Sequence, residues 1–448
     1  MQRQQNIYFL GIGGIGMSAL AYYFLQHGDA VYGYDHVPST ITQNLQNAGA
    51  HIHFDENIQQ IPPQVDFVIY TPAIHKEHKE FQYFLQHNIP IYKRSQILGK
   101  LAQGHSTIAV AGTHGKTTTT AILTQLFMTY RPIMSFIGGI AKNFNNNFYI
   151  DPQFDTVIAE ADEFDRSFLT LFPTIAVITS LDADHLDIYH DRSTLIESFQ
   201  LFANQIDKNG TLLIHEKISH LIQHPHKLVY GEGEHCDFRI SDICLNTTTS
   251  TFTLHSRYGG YWERLVLGVS GHHNVLNAAA ATAVGQLLHL TEEQCRGRLA
   301  EFCGVKRRFD YQIDTKDMVF IDDYAHHPEE IRAILTTVKK LYHKKLTVIF
   351  QPHLYTRTRD FAPQFAEVLA LADRVILLDI YPARELPIPG ITSQFLLDLI
   401  PLKDKVLVKK EELLNYLEQN RPEVLLTIGA GDIDKLVPII KEKFSPLQ

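Results

Sequence analysis

The sequence predicts an α/β fold of three domains, each built on a mainly parallel sheet. Three observations carry this. The 448 residues exceed what a single core organises, and about 150 residues per domain divides them into three. Two separate glycine-rich loops, at Gly11–Gly16 and Gly112–Gly115, each follow an apolar run of strand length and precede a helical pattern. The last third repeats one device, an apolar strand that runs directly into a polar tip.

The first block spans 1–105. Asn6 to Leu10 reads as a strand, Met17 to Gln26 as a helix and Ala30 to Tyr34 as a second strand ending at Asp35; Phe67 to Tyr70 and Ile91-Tyr92 continue the rhythm. Between the first strand and helix lies Gly11-x-Gly13-x-x-Gly16. In that context the glycines give a tight turn, a close backbone approach to a pyrophosphate and close helix–strand packing, the fingerprint of a Rossmann-like domain. The anion rests on amides at the helix start, and Asp35 stands about twenty residues downstream, where such a fingerprint has its acidic residue. The motif alone does not choose between a dinucleotide and a nucleotide sugar. Ile7 to Leu25 carries no charge, but its glycine cluster fits a strand, turn and helix, and not a membrane span or secretory signal.

The second block, 106–304, opens on the strand Thr107 to Ala111 and the stretch Gly112-Thr113-His114-Gly115-Lys116-Thr117-Thr118. The glycines let loop amides face an anion, Lys116 supplies a compact cation for β- and γ-phosphates, and Thr117 a hydroxyl for Mg²⁺. Val110 stands where the longer standard loop has its first glycine, so this loop is shorter. Thr119 and Thr120 suit a helix start as well as a ligand. Strands Thr156 to Glu160 and Ile175 to Thr179 deliver Glu160 and, beyond Asp182 and Asp184, His185 to the same sheet edge. A hydroxyl, a carboxylate and an imidazole beside phosphates suit Mg²⁺, the imidazole least. For Glu163, Asp182 and Asp184 the alternative to a place at this edge is that of solvated loop acids. Lys227 to Trp262 reads as short β-strands, and Asn274 to His289 as a helix.

The third block, 305–448, holds the strands Met318 to Ile321, Leu346 to Phe350, Arg374 to Leu378 and Val424 to Ile428, with a helix at Glu329 to Lys340. This is a second Rossmann-like unit.

Composition narrows the classes. A formal charge of −9 argues against general affinity for nucleic acid or anionic membranes. The four cysteines show no CxxC and no zinc-like spacing with histidine, and fit reduced thiols in a cytoplasmic protein. The expected oligomeric state is a monomer or weak dimer.

The motifs, taken in order, resemble the Mur ligases, ATP-dependent amide-forming enzymes of peptidoglycan precursor synthesis. The strings are GIGGIGMS at 11–18, AGTHGKTTTT at 111–120, EADEFDRSF at 160–168, DADHLDIY at 182–189, GHHNVLNAAAA at 271–281, GVKRRF at 304–309, DDYAHHPEE at 322–330, FQPHLYTRTRD at 350–360 and IGAGDI at 428–433. The short phosphate loop is that family's form. The resemblance implies that the first domain holds a UDP-sugar, with Gly13, Gly14 and Gly16 near its pyrophosphate and Asp35 among the contacts, and that the second holds ATP and Mg²⁺ through Gly112 to Thr118, Glu160 and His185. His273 and Asn274 match positions at the adenine-nucleotide end, and Arg308, Asp323 and His326 approach the nucleotide as the third domain closes. Tyr324, His353 and Arg357 match residues near the incoming amino acid, with Lys116, His353 and Arg357 as the catalytic set.

Within the family the strings are most similar to those of the member acting on UDP-N-acetylmuramate and L-alanine. A ligase for a recycled tripeptide, L-alanyl-γ-D-glutamyl-meso-diaminopimelate, is the nearest alternative, and its pattern differs at FQPHLYTRT. Outside the family, an NAD-dependent dehydrogenase leaves the GKT loop and Glu160 without a role, and a non-catalytic nucleotide-binding protein is the remaining rival. Two departures stand out. Gln200 occupies the position that counts to the lysine carbamylated in several Mur ligases, and Leu354 stands where relatives often carry arginine.

Overall fold

The computed structural model describes residues 3–182, 192–258, 260–383 and 385–445. They form three sheets. In the first, β1 (Asn6–Leu10), β2 (Ala30–Tyr34), β3 (His51–His53), β4 (Phe67–Tyr70) and β5 (Ile91–Lys93) lie parallel in the order β3-β2-β1-β4-β5, with helices α1 (Ile15–Gln26), α2 (Thr40–Asn47), α3 (Lys79–Gln86) and α4 (Arg94–Ala102) between them. Strand β1 buries Ile7 and Phe9 in one cluster and Tyr8 and Leu10 in another, as a parallel strand covered on both faces requires. Order reverses at β1, so a crevice opens at its carboxyl end, where the first glycine loop lies.

The second sheet has ten strands: β6 (Ser106–Ala111), β7 (Ile133–Ala141), β8 (Asn146–Ile150), β9 (Thr156–Glu160), β10 (Ile175–Ile178), β11 (Thr211–His215), β12 (Lys227–Gly231), β13 (Phe238–Leu245), β14 (Ser250–Ser256) and β15 (Gly260–Leu267). Their order is β15-β14-β13-β12-β11-β10-β6-β9-β7-β8, so β6 runs parallel between β10 and β9. Helices α5 (Lys116–Phe127), α6 (Arg192–Asn204), α7 (His272–Leu287) and α8 (Glu292–Ala300) accompany it. The β7–β8 hairpin, which the sequence pattern does not announce, turns through Asn145 in a left-handed conformation.

The third sheet orders as β16-β17-β21-β18-β19-β20, comprising β16 (Asp310–Asp314), β17 (Val319–Asp323), β18 (Leu346–Phe350), β19 (Arg374–Leu377), β20 (Lys405–Leu407) and β21 (Val424–Ile428). All pairs are parallel except β16–β17. The four strands expected from the repeated device are its four central ones. Val319 and Ile321 enter one core with Ile331, Ile334 and Leu335, while Phe320 enters the opposite core with Leu413 and Ile440. Among the described residues no helix is long and apolar enough to cross a membrane, and all four cysteines are free thiols.

The described residues group into two compact units. The first takes in the chain to Ile243 with Thr251–Gly268 and Asn274–Cys303; the second takes Cys244–Ser250, Val269–His273 and the chain from Gly304 onward. The first two sheets therefore share one unit, because the core from Ile7 and Phe9 continues into Met134, Phe136 and Phe148. Asn147, buried on β8, donates its amide to the Ile15 carbonyl and to Ser18 Oγ (3.0 Å) on α1, and Thr170 Oγ1 donates to the Ser95 carbonyl at 2.9 Å. Asn147→Ala removes both donated bonds at this seam and leaves Ser18 Oγ without that donor, the Ile15 carbonyl still accepting from Ser18 Oγ at 3.0 Å. The expected cost is about 1–3 kcal/mol, read as a lower urea midpoint for the first unfolding transition.

Candidate active site

The short glycine loop leaves β6 and turns at once into α5. Gly112 has φ +132° and Gly115 φ +83°, backbone that L side chains rarely adopt. Space enforces the same choice: a Cβ on Gly115 would meet Asn277 Oδ1 at 2.5 Å, and one on Gly112 would strike Thr179 Oγ1. The loop is laced to the end of β10. Ser180 Oγ accepts the His114 N–H at 2.8 Å and lies 2.9 Å from Thr113 Oγ1, which accepts the Asp182 N–H at 3.0 Å. His114 Nε2 stands 3.4 Å from Asp182 Oδ2. Helix α5 begins at Lys116 without a side-chain cap, so its first-turn amides form an anion-seeking end. Thr118, Thr119 and Thr120 are buried, and Thr120 Oγ1 turns back to the Lys116 carbonyl at 2.9 Å.

Lys116 Nζ donates to the Gly112 carbonyl at 2.5 Å and to both oxygens of Glu163 at 2.8 and 3.0 Å. Glu163 is fully buried. Burial by itself would lower the ammonium's pKa, but Glu163, with Asp162 and Glu160 behind it, outweighs burial and raises it. Sequence alone leaves Glu163 open to being a solvated loop acid. The fold instead makes it the counter-ion of Lys116, from the position immediately before the tight helical turn Phe164–Thr170.

At the end of β9, Glu160 Oε2 accepts the Thr117 hydroxyl at 2.8 Å and the Gly138 N–H at 3.0 Å. The hydroxyl and carboxylate expected as metal ligands thus share one position. His185 lies outside the described residues. Gln200, on α6, donates to Asn204 Oδ1 and the Gln223 carbonyl, and its Oε1 accepts the Gln223 N–H.

At the first glycine loop, Asp35 Oδ2 accepts the Gly13 N–H at 2.7 Å, so the carboxylate sets the shape of the turn. Gly14 is extended and precedes α1, which begins at Ile15, two residues ahead of the expected Met17. Arg94 at the start of α4 reaches over Gly16, where a Cβ would meet its Nη1 at 2.6 Å, and stands 3.5 Å from Asp162. Sequence reasoning missed this cation. Its signal is weak, a lone arginine far along the chain.

In the second unit another group assembles around the end of β17. Asp323 Oδ2 accepts the Phe309 N–H and Oδ1 the Ala325 N–H, both at 2.7 Å. Arg308 lies over the Tyr324 ring at 5.0 Å, and so does Arg307 at 5.1 Å. Arg307 and Phe309 have φ of +61° and +49°, so both arginines reach this ring only through a contorted backbone. The His326 ring lies 5.3 Å from that of Tyr324 and 6.2 Å from that of His353, which stacks on Tyr381 at 5.8 Å. Arg357 sits within a short helix (Tyr355–Asp360), entered through Leu354 at φ +70°. His273 lies 6.0 Å from the Phe309 ring; burial, His272 and Arg308 lower its pKa to about 4. Asn274, buried, falls in the first unit with Asn277.

Three family models cover this architecture in order: Mur ligase family, catalytic domain over 6–106; Mur ligase middle domain over 110–285; and Mur ligase, glutamate ligase domain over 307–431. The chain belongs to the Mur ligase family. It is 44% identical over 446 residues to UDP-N-acetylmuramate--L-alanine ligase of Phocaeicola vulgatus, covering 97% of each chain. It is 43% identical over 455 residues to the protein of that name from Porphyromonas gingivalis, covering 99% of this chain and 100% of the other. Among solved structures, the UDP-N-acetylmuramate-alanine ligase of Thermotoga maritima matches with a TM-score of 0.84 at 28% identity, covering 98% of this chain and 99% of that one. A murein peptide ligase from Psychrobacter arcticus shares the fold, at TM-score 0.71 and 20% identity over 99% of both chains.

In this Mur ligase the acid pair ending β17 carries a pH signature. Burial pushes Asp322 up from 3.8 to about 6 against the pull of Arg307 and of the Thr427 hydroxyl, which donates at 2.7 Å; Asp323 rises to about 6 against Arg308. The folded protein keeps these protons where the unfolded chain has lost them, so they favour folding below 3.8 and that advantage is lost as pH rises through about 6. Asp322→Asn removes one such loss and keeps an acceptor for Thr427. Urea midpoints measured from pH 4 to 7 should move in the variant's favour relative to the parent as pH rises.

Proposed function

We propose that this protein is an ATP-dependent ligase that joins L-alanine to the lactyl carboxylate of UDP-N-acetylmuramate in cytoplasmic peptidoglycan precursor synthesis. The observation that carries the reading is likeness over nearly the whole chain, 44% identity across 97% of its length, to a relative bearing that ligase's name. In this reading residues 1–105 take the UDP-sugar, 106–304 the ATP and 305–448 the amino acid.

The chemical problem is that a carboxylate is already anionic and resists attack by an amine. Transfer of the γ-phosphoryl of ATP makes an acyl phosphate, the amine of L-alanine attacks its carbonyl carbon, and the tetrahedral intermediate expels phosphate. Phosphoryl transfer is chiefly positioning and charge neutralisation. The Gly112–Thr118 loop and the start of α5 cradle the phosphates, and Lys116, held by Glu163 and the Gly112 carbonyl, meets their charge with an ammonium that stays protonated. Thr117 and Glu160, 2.8 Å apart, suit Mg²⁺, with His185 as a third ligand; the ion would neutralise phosphate charge. Gly13, Gly14 and Gly16, with Arg94 above them, receive the diphosphate of the sugar nucleotide, while Asp35 shapes their turn. His273, Asn274, Arg308, Asp323 and His326 serve the nucleotide. Tyr324, His353 and Arg357 serve the amino acid, Arg357 pairing with its carboxylate and His353 taking the amine proton.

Phosphate release with ATP, Mg²⁺ and UDP-N-acetylmuramate should depend on L-alanine. A preference for L-alanyl-γ-D-glutamyl-meso-diaminopimelate would transfer the assignment to the recycling ligase. Lys116→Ala should lower the rate of ADP formation by at least about a hundredfold, and turnover near that of the parent would remove Lys116 from the mechanism.

A further inference from the structure

Away from these loops, one turn in the first unit closes around a carboxylate. Glu216 follows β11 directly. Its Oε1 accepts the Glu232 N–H at 2.8 Å and its Oε2 the Gly233 N–H at 3.0 Å, both from the turn between β12 and β13. The same turn carries His235 and Cys236. Cys236 Sγ lies 3.6 Å from Glu216 Oε2, and His235 Nε2 lies 3.9 Å from it. All three ligand atoms fall within 4.8 Å of one another, and among the described residues no other three His, Cys, Asp or Glu side chains do so.

These separations have a physical scale. Around a tetrahedral zinc ion, with oxygen and nitrogen at 2.0–2.2 Å and sulfur near 2.3 Å, neighbouring ligand atoms stand about 3.3–3.8 Å apart. Two of the contacts are already at or near that spacing, so small side-chain rotations complete the set. The amides fix the carboxylate without exhausting it, because an ionised carboxylate has about four acceptor directions and the two amides engage two of them. The His235 side chain is 68% exposed, which leaves it free to swing and leaves solvent a route to the remaining coordination position. A thiolate, an imidazole and a carboxylate form a borderline donor set that prefers zinc to the oxygen-seeking magnesium or calcium.

We propose that Glu216, His235 and Cys236 bind a borderline divalent transition metal, zinc foremost, which pins the β12–β13 turn to the end of β11. The Cys236 thiol now donates its hydrogen to Glu216. On binding, that proton leaves to solvent, the sulfur becomes a thiolate ligand, and a water takes the fourth place.

The test uses the full-length protein, freed of metal with a chelator, kept reduced and titrated with Co²⁺ alone. One equivalent should produce tetrahedral d–d absorption with a sulfur-to-cobalt charge-transfer band, and Zn²⁺ should displace both. Cys236→Ser should abolish the charge-transfer band. His235→Ala, a change at an exposed side chain, should weaken Co²⁺ binding at least about tenfold with an unchanged circular dichroism spectrum, while Cys244→Ser should bind as the parent does. Absence of the band in the parent, its survival in Cys236→Ser, or parental affinity in His235→Ala would overturn the site.

Discussion

The buried pair between Lys116 and Glu163 is the interaction around which the first unit's chemistry is arranged. Removing two charges from water is expensive, and such a pair contributes little to stability against a well-packed apolar alternative. What it does is fix position. The ammonium is tethered to the carbonyl of Gly112 and to a carboxylate that solvent does not reach, so it stays charged and stays at the loop. An anion arriving at the start of α5 meets a cation already in place, without the cost of ordering a long side chain.

The sheet makes this arrangement possible. Because β6 lies parallel between β9 and β10, three strand ends open on one edge and deliver the glycine loop, Glu160 and Thr179-Ser180 together. The two left-handed glycines then turn the chain back within a few residues. Ser180 clasps this short loop at both Thr113 and His114. Sheet topology, glycine conformation and the buried pair are thus one construction.

The second unit uses a different device. Here a parallel strand ends in two acids, and the preceding segment folds back so that two arginines lie over Tyr324. Burial raises both acids while the arginines and backbone amides oppose it, which keeps Asp323 poised between backbone clamp and charge partner. The family resemblance singles out Arg308, while the residues themselves give no signal of which way each of two adjacent arginines points. The structure gives Arg307 the Asp322 side, 3.5 Å from its carboxylate, and Arg308 the Glu330 side at 4.0 Å.

Much of the fold was legible because it rests on local pattern. Strands buried on both faces read as apolar runs, and a glycine cluster between strand and helix marks a tight turn with its amides turned outward. The glycines, Lys116, Thr117 and Glu160 were legible for the same reason, being adjacent to strand ends. The β7–β8 hairpin, the union of the first two sheets in one unit, Glu163 as partner of Lys116, Asp35 as a clamp on Gly13 and Arg94 above Gly16 were not. Each depends on which distant segments the chain brings into contact, and an isolated acid or arginine reads alike whether solvated or buried. Sequence by itself determined the strand–loop–helix grammar and which residue types stand at the strand ends, since these follow from periodicity and residue chemistry. Only tertiary structure decided who pairs with whom, because charge partners and packed seams are set by three-dimensional proximity that spacing along a chain does not encode.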